Sequence, residues 1–418
     1  MRSVSPSPET KFKTLRQPVV RPIVLLSLVL LGIGSVGLAA EWYLRSRVPI
    51  DWTVEYRIPN SVLGWSLAPE ARFTTYVPEP VEISYNSEGW RDIESDGRLD
   101  ADLRIAILGD SFVEGYSVEQ AETVSSRISR LIEARGQHGE VFNFGVGGYS
   151  TFQEYLVYKQ IASTYRPQVV LLGFYLDNDV RNNDRRLESA LNTGQRKAES
   201  RPFLELGSSG KWSTKSIDIV KVRQEYEFEL ARRQEWPLRD ARKSVLLRVL
   251  GRTVRRLQGS IVSPDGIETL VAQQKDLVDV SRFGVHFCEE PKDITSAWAV
   301  TSTVLERLRD EVRADGAELI VFTVPALQEV YKGAMETRVE GSALAKQICF
   351  ERAPGYQRLQ GILDVLGIES VDLLPPFRDA AREENATLFR GDGHWGPTGH
   401  ALAAEFVFGE LHRRQLLP

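Results

Sequence analysis

The chain has 418 residues, 42% of them hydrophobic and 26% charged, which leaves room for one large domain or two ordinary ones around a sizeable core. Its net charge of -5, with both signs mixed along the chain, excludes the basic face of a nucleic-acid binder. The two cysteines, Cys288 and Cys349, fit neither a zinc spacing nor a C-x-x-C redox motif.

Met1 to Gln17 is rich in Ser, Pro and Lys with no apolar period, and residues 1–21 read as a disordered cytoplasmic tail. Pro22 to Ala40 carries no charge. Extended through Leu44, it reaches the roughly 20 residues that a bilayer crossing takes. Trp42 and Tyr43 stand where an interfacial aromatic belt lies. Arg2, Lys11, Lys13, Arg16 and Arg21 precede the segment, and Arg45, Arg47 and Arg57 follow it. This excess predicts an anchor over 22–44 with the rest of the chain outside the cytoplasm, periplasmic or extracellular. The rival is a signal peptide cleaved near Gly37-Leu38-Ala39, which also exports the chain.

Residues 45–100 read as a β-rich accessory segment. "ARFTTYV" and "VEISYNSEGW" alternate, and Asn86-Ser87-Glu88-Gly89 supplies turn chemistry. From Leu103 onward, apolar strands alternate with helices. The strands are "LRIAIL", "VFNFGV", "QVVLLGFYL", "AELIVFTVP" and "ESVDLL". Helices are predicted over Glu119–Arg135, Phe152–Tyr165, Ala297–Ala314 and Tyr356–Leu366, with a last one starting near Pro397. The pattern predicts an α/β fold over 101–418: a flavodoxin-like three-layer α/β/α domain with a mostly parallel sheet. About 184–290 differs in character and reads as a helical insertion. Its "WPLRDARKSVLLRVLGRTVRRLQG" is a basic amphipathic helix, read as a solvated face in preference to a membrane contact.

Ligands of open α/β sheets bind outside the carboxyl ends of the strands. There the chain places Gly109-Asp110-Ser111, then "NFGVGGYST", then "YLDNDVRNN", and near its end "GDGHWGPTGH". A serine, a glycine-rich turn, Asn178 and an Asp-His pair thus meet at one edge. Acyl transfer needs that set. A serine hydroxyl requires a base, an imidazole can move the proton, and a carboxylate fixes its tautomer. The oxyanion needs preorganised donors, available from the Ser111 N–H, a glycine N–H and the Asn178 amide. His394 and His400 both stand near Asp392. In an extended loop, Asp392 and His394 project to one side, whereas Pro397 and Gly399 carry His400 into the final helix. Ser111, His394 and Asp392 are therefore the expected catalytic residues. His138, His286 and His412 are expected at the surface. Trp395, beside His394, is the candidate for stacking on a substrate sugar.

These blocks resemble the SGNH or GDSL-type hydrolases, in block order over Leu103 to Ala404 with the insertion left out. "GDSF" is similar to the first block, "VGGYST" to the second and "LDND" to the third. The resemblance implies Ser111 as nucleophile, with Gly148 and Asn178 completing an oxyanion site with the Ser111 N–H. The third block departs at its glycine, where this chain has Leu176 or Asp177. Asp392-Gly393-His394-Trp395 is a D-x-H-W form, similar to the branch that handles O-acetyl groups of exported polysaccharides. The resemblance implies an ester-bearing carbohydrate or lipid substrate and no cofactor. A metal site at Asp392 and His394, joined by Asp177, Asp179 and Asp184, is the rival, but no EF-hand glycine or H-E-x-x-H spacing accompanies them, so no metal is expected. Four functions stay open: polysaccharide esterase, O-acetyltransferase with the same residues, lipid esterase, and a non-catalytic polysaccharide-binding module. A Cys288–Cys349 disulfide is also open, since an exported chain permits it if the Cα atoms come within about 7 Å.

Overall fold

The computed structural model describes residues 20–47, 56–75, 80–94, 101–190, 199–234, 246, 283–331, 347–349, 353–383 and 387–417. The predicted tail up to residue 19 lies outside these residues, as does the basic helix of the insertion except Leu246, and residues 20 and 21 belong to the first helix and not to the tail. The chain forms two compact units, one of residues 1–49 with 236–255, the other of 50–235 with 256–418. The first contains a helix, Val20–Arg47, whose stretch Val24–Tyr43 is long and apolar enough to cross a membrane (mean hydropathy 2.1).

The second unit begins with two short antiparallel hairpins. Strands β1 (Arg57–Asn60) and β2 (Gly64–Leu67) pair with each other, as do β3 (Arg72–Thr75) and β4 (Val81–Ser84). The main strands follow: β5 (Leu103–Gly109), β6 (Gly139–Gly145) and β7 (Val169–Phe174). A third small hairpin, β8 (Phe203–Leu206) and β9 (Trp212–Lys215), interrupts them before β10 (Glu318–Thr323) and β11 (Glu369–Val371). The main sheet is wholly parallel, in the order β11-β10-β7-β5-β6. Its strands are continuous apolar runs because helices cover both faces. Ile105 to Leu108, Val170 to Leu172 and Ile320 to Phe322 are fully buried.

Two groups of helices flank the sheet. Val124–Glu133 packs on Pro397–Arg413, and Thr151–Gln160 and Leu176–Asn183 pack on Lys292–Ala314. This is a three-layer α/β/α fold. The helix starts follow from their caps: Thr123 accepts from Ser126 N, Ser150 accepts from Gln153 N, and Pro397 occupies the first turn.

The register sets the site. Gly109 pairs with Gly145, and Leu108 with both Phe144 and Leu172. The loops after β5, β6 and β7 therefore leave the sheet at one level. Strand order reverses between β5 and β7, which opens the crevice that doubly wound sheets use for ligands.

Candidate active site

Ser111 is the first residue of a short helix, Ser111–Glu114, that follows β5 directly. Asp110 caps it: one carboxylate oxygen accepts the Phe112 N–H (2.9 Å) and the other accepts the Asn178 amide (2.7 Å). At the other end, buried Arg91 donates to the carbonyls of Gly115 and Val118. The Ser111 helix is thus clamped at both ends, once by its own strand loop and once by the accessory segment.

The loop before the last helix brings His394 to Ser111. Arg390 N–H donates to the His394 carbonyl (2.7 Å) and Gly396 N–H to Leu388 (2.8 Å), closing a tight turn. His394 Nε2 lies 2.8 Å from Ser111 Oγ. His394 Nδ1 lies 3.2 Å from Asp392 Oδ2, close but off the line of an ideal bond. Such bonds often tighten only when substrate is bound. Ser117 Oγ donates to the same carboxylate oxygen (2.6 Å), and the His394 N–H donates to Oδ1 (3.1 Å). The His394 ring rests 4.8 Å from the ring of Phe112. Ser111, Asp392 and His394 are all partly open to solvent, as a site that receives substrate must be.

Burial alone pulls the His394 imidazole below its usual pKa. The hydrogen bond and charge of Asp392, joined by the charges of Asp110 and Glu114, outweigh burial and leave it raised. Burial pushes Asp392 up, but the imidazole and Ser117 hold it below the usual carboxylate range. Both shifts describe an imidazole poised to accept a proton.

Gly148 stands beside this pair with φ +79°, a conformation that side-chain-bearing residues rarely adopt. Arg201 holds its carbonyl (3.0 Å). Among the described residues, no acceptor meets the N–H of Gly148 or of Ser111. Asn178 spends one amide hydrogen on Asp110 and keeps the second. These three donors therefore stand on the loops after β5, β6 and β7. His400 lies fully buried within the last helix, and burial drives its pKa down to about 3.

Two expectations are corrected. Trp395 is not a sugar platform: it is 0% exposed, donates Nε1–H to Pro325 O (3.1 Å) and packs against Phe112 and Phe377. Successive side chains of an extended loop point opposite ways, so His394 faces the site and Trp395 the core. His286 is not a surface residue. It is buried, with Nε2 2.6 Å from Asp177 Oδ1 and Nδ1 3.8 Å from Glu329 Oε1. His138 and His412 are exposed. Cys288 and Cys349 form a disulfide, with Cα atoms 4.9 Å apart.

Asp177, His286 and Glu329 could offer a metal three ligand atoms within 4.8 Å. Asp177 and His286 pair directly, whereas Glu329 Oε1 is buried without a hydrogen-bond partner among the described residues. Glu329 Oε2 accepts from Tyr356 (2.9 Å) and Ala326 N–H (2.7 Å), and burial pushes the carboxyl up to about 7. Asp392 and His394 are engaged with Ser117 and Ser111. Reading the sequence alone missed Ser117, Glu114, Arg91 and Arg201, which reach the site through tertiary packing and carry no motif.

Residues 288–418 match the family model described as an SGNH hydrolase-like domain of acetyltransferase AlgX. The match covers Asp392 and His394 and begins after Ser111, Gly148 and Asn178. No curated protein sequence matches the chain. Among solved structures, an acetyl xylan esterase, AlAXEase, aligns at TM-score 0.35 and 9% identity, covering 74% of this chain and 100% of its own. The psychrotrophic esterase EstA from Pseudoalteromonas sp. aligns at 0.35 and 11%, covering 75% and 100%. A lipase/acylhydrolase from Enterococcus faecalis aligns at 0.34 and 12%, covering 75% and 96%. The C-terminal part of the chain is thus similar to an SGNH hydrolase-like domain, and the parallel sheet is the one that the ordered sequence blocks predict.

Proposed function

We propose that the chain is a serine esterase or O-acyltransferase acting on O-acyl groups of an envelope or exported polysaccharide. The observation that carries this reading is the Ser111–His394–Asp392 relay, with 2.8 Å and 3.2 Å between successive atoms. His394 Nε2 takes the Ser111 hydroxyl proton as Oγ attacks the ester carbonyl. Asp392 stabilises the imidazolium that results. The N–H groups of Ser111 and Gly148 and the free hydrogen of the Asn178 amide receive the oxyanion. The intermediate collapses, the alcohol leaves with the proton from His394, and Ser111 holds the acyl group. Water then releases it as an acid, or a sugar hydroxyl takes it as a new ester, with His394 again the base. The relay draws on no cofactor.

The family match to an acetyltransferase domain supports a short acyl group and leaves transfer beside hydrolysis. The apolar helix supports a membrane anchor with the catalytic unit exported, and a disulfide suits an oxidising compartment.

Turnover of p-nitrophenyl acetate tests the assignment. Ser111→Ala and His394→Ala should each lose about 10³-fold or more, and the double variant little beyond that, because residues acting as one unit are not additive. His400→Ala should keep most of the turnover. An active His394→Ala beside an inactive His400→Ala overturns the assignment.

A further inference from the structure

Apart from the relay, three elements each send one side chain to a common point. Asp177 comes from the first turn of helix Leu176–Asn183, which follows β7. His286 ends the short turn Gly284–His286. Glu329 lies in the short helix Leu327–Val330, which follows β10. Each offers one ligand atom, and these atoms all lie within 4.8 Å of one another. The side chains are deeply buried, Glu329 at 6% exposed and the other two at 7%.

The two carboxylates are held in the same way. Asp177 Oδ2 accepts from the Tyr175 hydroxyl (3.2 Å) and from the Gln328 amide. Its other oxygen, Oδ1, faces His286 Nε2 at 2.6 Å. Glu329 Oε2 accepts from the Tyr356 hydroxyl (2.9 Å) and the Ala326 N–H (2.7 Å). Its other oxygen, Oε1, faces His286 Nδ1 at 3.8 Å, too far for a hydrogen bond. Among the described residues Oε1 has no hydrogen-bond partner, and no lysine or arginine forms an ion pair with Glu329. Donors thus fix the outer oxygen of each carboxylate and leave the inner one turned to the imidazole. Outer partners orient the ligands of a metal in this manner. A buried carboxylate oxygen left without a donor is costly, and a cation removes that cost.

The donor set decides the class of cation. Magnesium and calcium take oxygen ligands, whereas an imidazole beside carboxylates suits zinc. Bonds of about 2.0–2.2 Å would open the 2.6 Å contact of Asp177 with His286 and draw Glu329 inward, with water in the fourth position. We propose that Asp177, His286 and Glu329 bind one divalent transition-metal ion of the zinc class. The ion ties the helix after β7, the turn before Cys288 and the helix after β10 to one another. It takes no part in the serine chemistry, and the inference stands whether or not Ser111 is the reacting serine.

The test uses the full-length protein in detergent, stripped with EDTA and dialysed free of chelator. Zinc sulfate is titrated in, retained metal is counted by plasma mass spectrometry, and thermal unfolding is followed. One zinc per chain should be retained, and Tm should rise by about 3 °C once free zinc exceeds Kd about a hundredfold. Magnesium chloride should leave Tm unchanged. Tyr356→Phe removes a donor to Glu329 and no ligand, and should weaken zinc binding about tenfold or more. Glu329→Gln should weaken it further. The exposed His138 and His412 offer zinc a surface alternative, so binding unchanged in both variants overturns the site. A wild type that retains no zinc and melts at one temperature with and without it also overturns the site. A magnesium shift equal to that of zinc overturns the class of metal. If Glu329→Gln does not fold, Tyr356→Phe decides.

Discussion

At the scale of single residues, two opposing effects act on His394 and their balance sets the pH at which it works. Burial disfavours the imidazolium, whereas the Asp392 bond and three nearby carboxylates favour it and prevail. A base must be neutral to accept the Ser111 proton. Activity is therefore lost as pH falls through the raised pKa, and the acid limb of kcat/KM should centre above the ordinary histidine value of about 6.5. Asp392→Asn removes the strongest support of the charged form. Any residual activity should then show its acid limb at lower pH, in a pH–rate profile of p-nitrophenyl acetate turnover. A limb that moves upward contradicts the electrostatic account. Ser117 belongs to the same balance, since its hydroxyl shares the Asp392 oxygen that faces the imidazole.

At the scale of elements, three buried carboxyl groups, one after each of β5, β6 and β7, feel one another's charge. They are Asp110 after β5, Glu154 in helix Thr151–Gln160 and Asp179 in helix Leu176–Asn183. Burial is the main cause that raises all three, Asp110 to about 6 and the other two well above the usual carboxylate range. Among the described residues neither oxygen of Glu154 has a hydrogen-bond partner, which suits a group held neutral. A carboxyl that binds its proton more tightly in the folded state makes stability fall as pH rises above its unfolded pKa. Glu154→Gln removes one such group. Above pH ~4.5 its unfolding free energy should decline less steeply than the wild type's, by up to about 1.4 kcal/mol per pH unit. Denaturant unfolding across that range measures this, and parallel slopes in the two proteins contradict it.

The elements also show what the sequence could and could not reveal. The five strands were legible because largely apolar runs of six to nine residues between helices have few other readings. The relay was legible because Ser111, Asn178 and the D-x-H loop each follow directly on an element whose end could be placed. Arg91 was not, since the accessory segment's side chains gain meaning only from the domain it packs on. His286 failed for a similar reason. Its segment is drawn into the interior by Asp177 and by a backbone bond from the Cys349 N–H to the His286 carbonyl, a pairing 63 residues away along the chain that leaves no local signal.

At the scale of the whole molecule, the Cys288–Cys349 bridge closes a loop of 61 residues at the edge of the catalytic unit. Its main effect is to limit the unfolded chain. Replacing both cysteines by serine should cost about 2–4 kcal/mol of unfolding free energy. Unchanged stability would mean that the local contacts around His286 hold the segment without the bridge. The central claim is that a chain without a G-x-S-x-G elbow carries an activated serine, built by bringing together residues nearly 300 positions apart. Ser111 and His394 stand 2.8 Å from each other across a sequence separation of 283. The most direct measurement is mass-spectrometric mapping of the protein after reaction with a fluorophosphonate. The account predicts one adduct per chain, on the peptide containing Ser111, with its formation slowed at least about 10²-fold in His394→Ala. An adduct on another serine, or labelling of Ser111 that does not depend on His394, would contradict it.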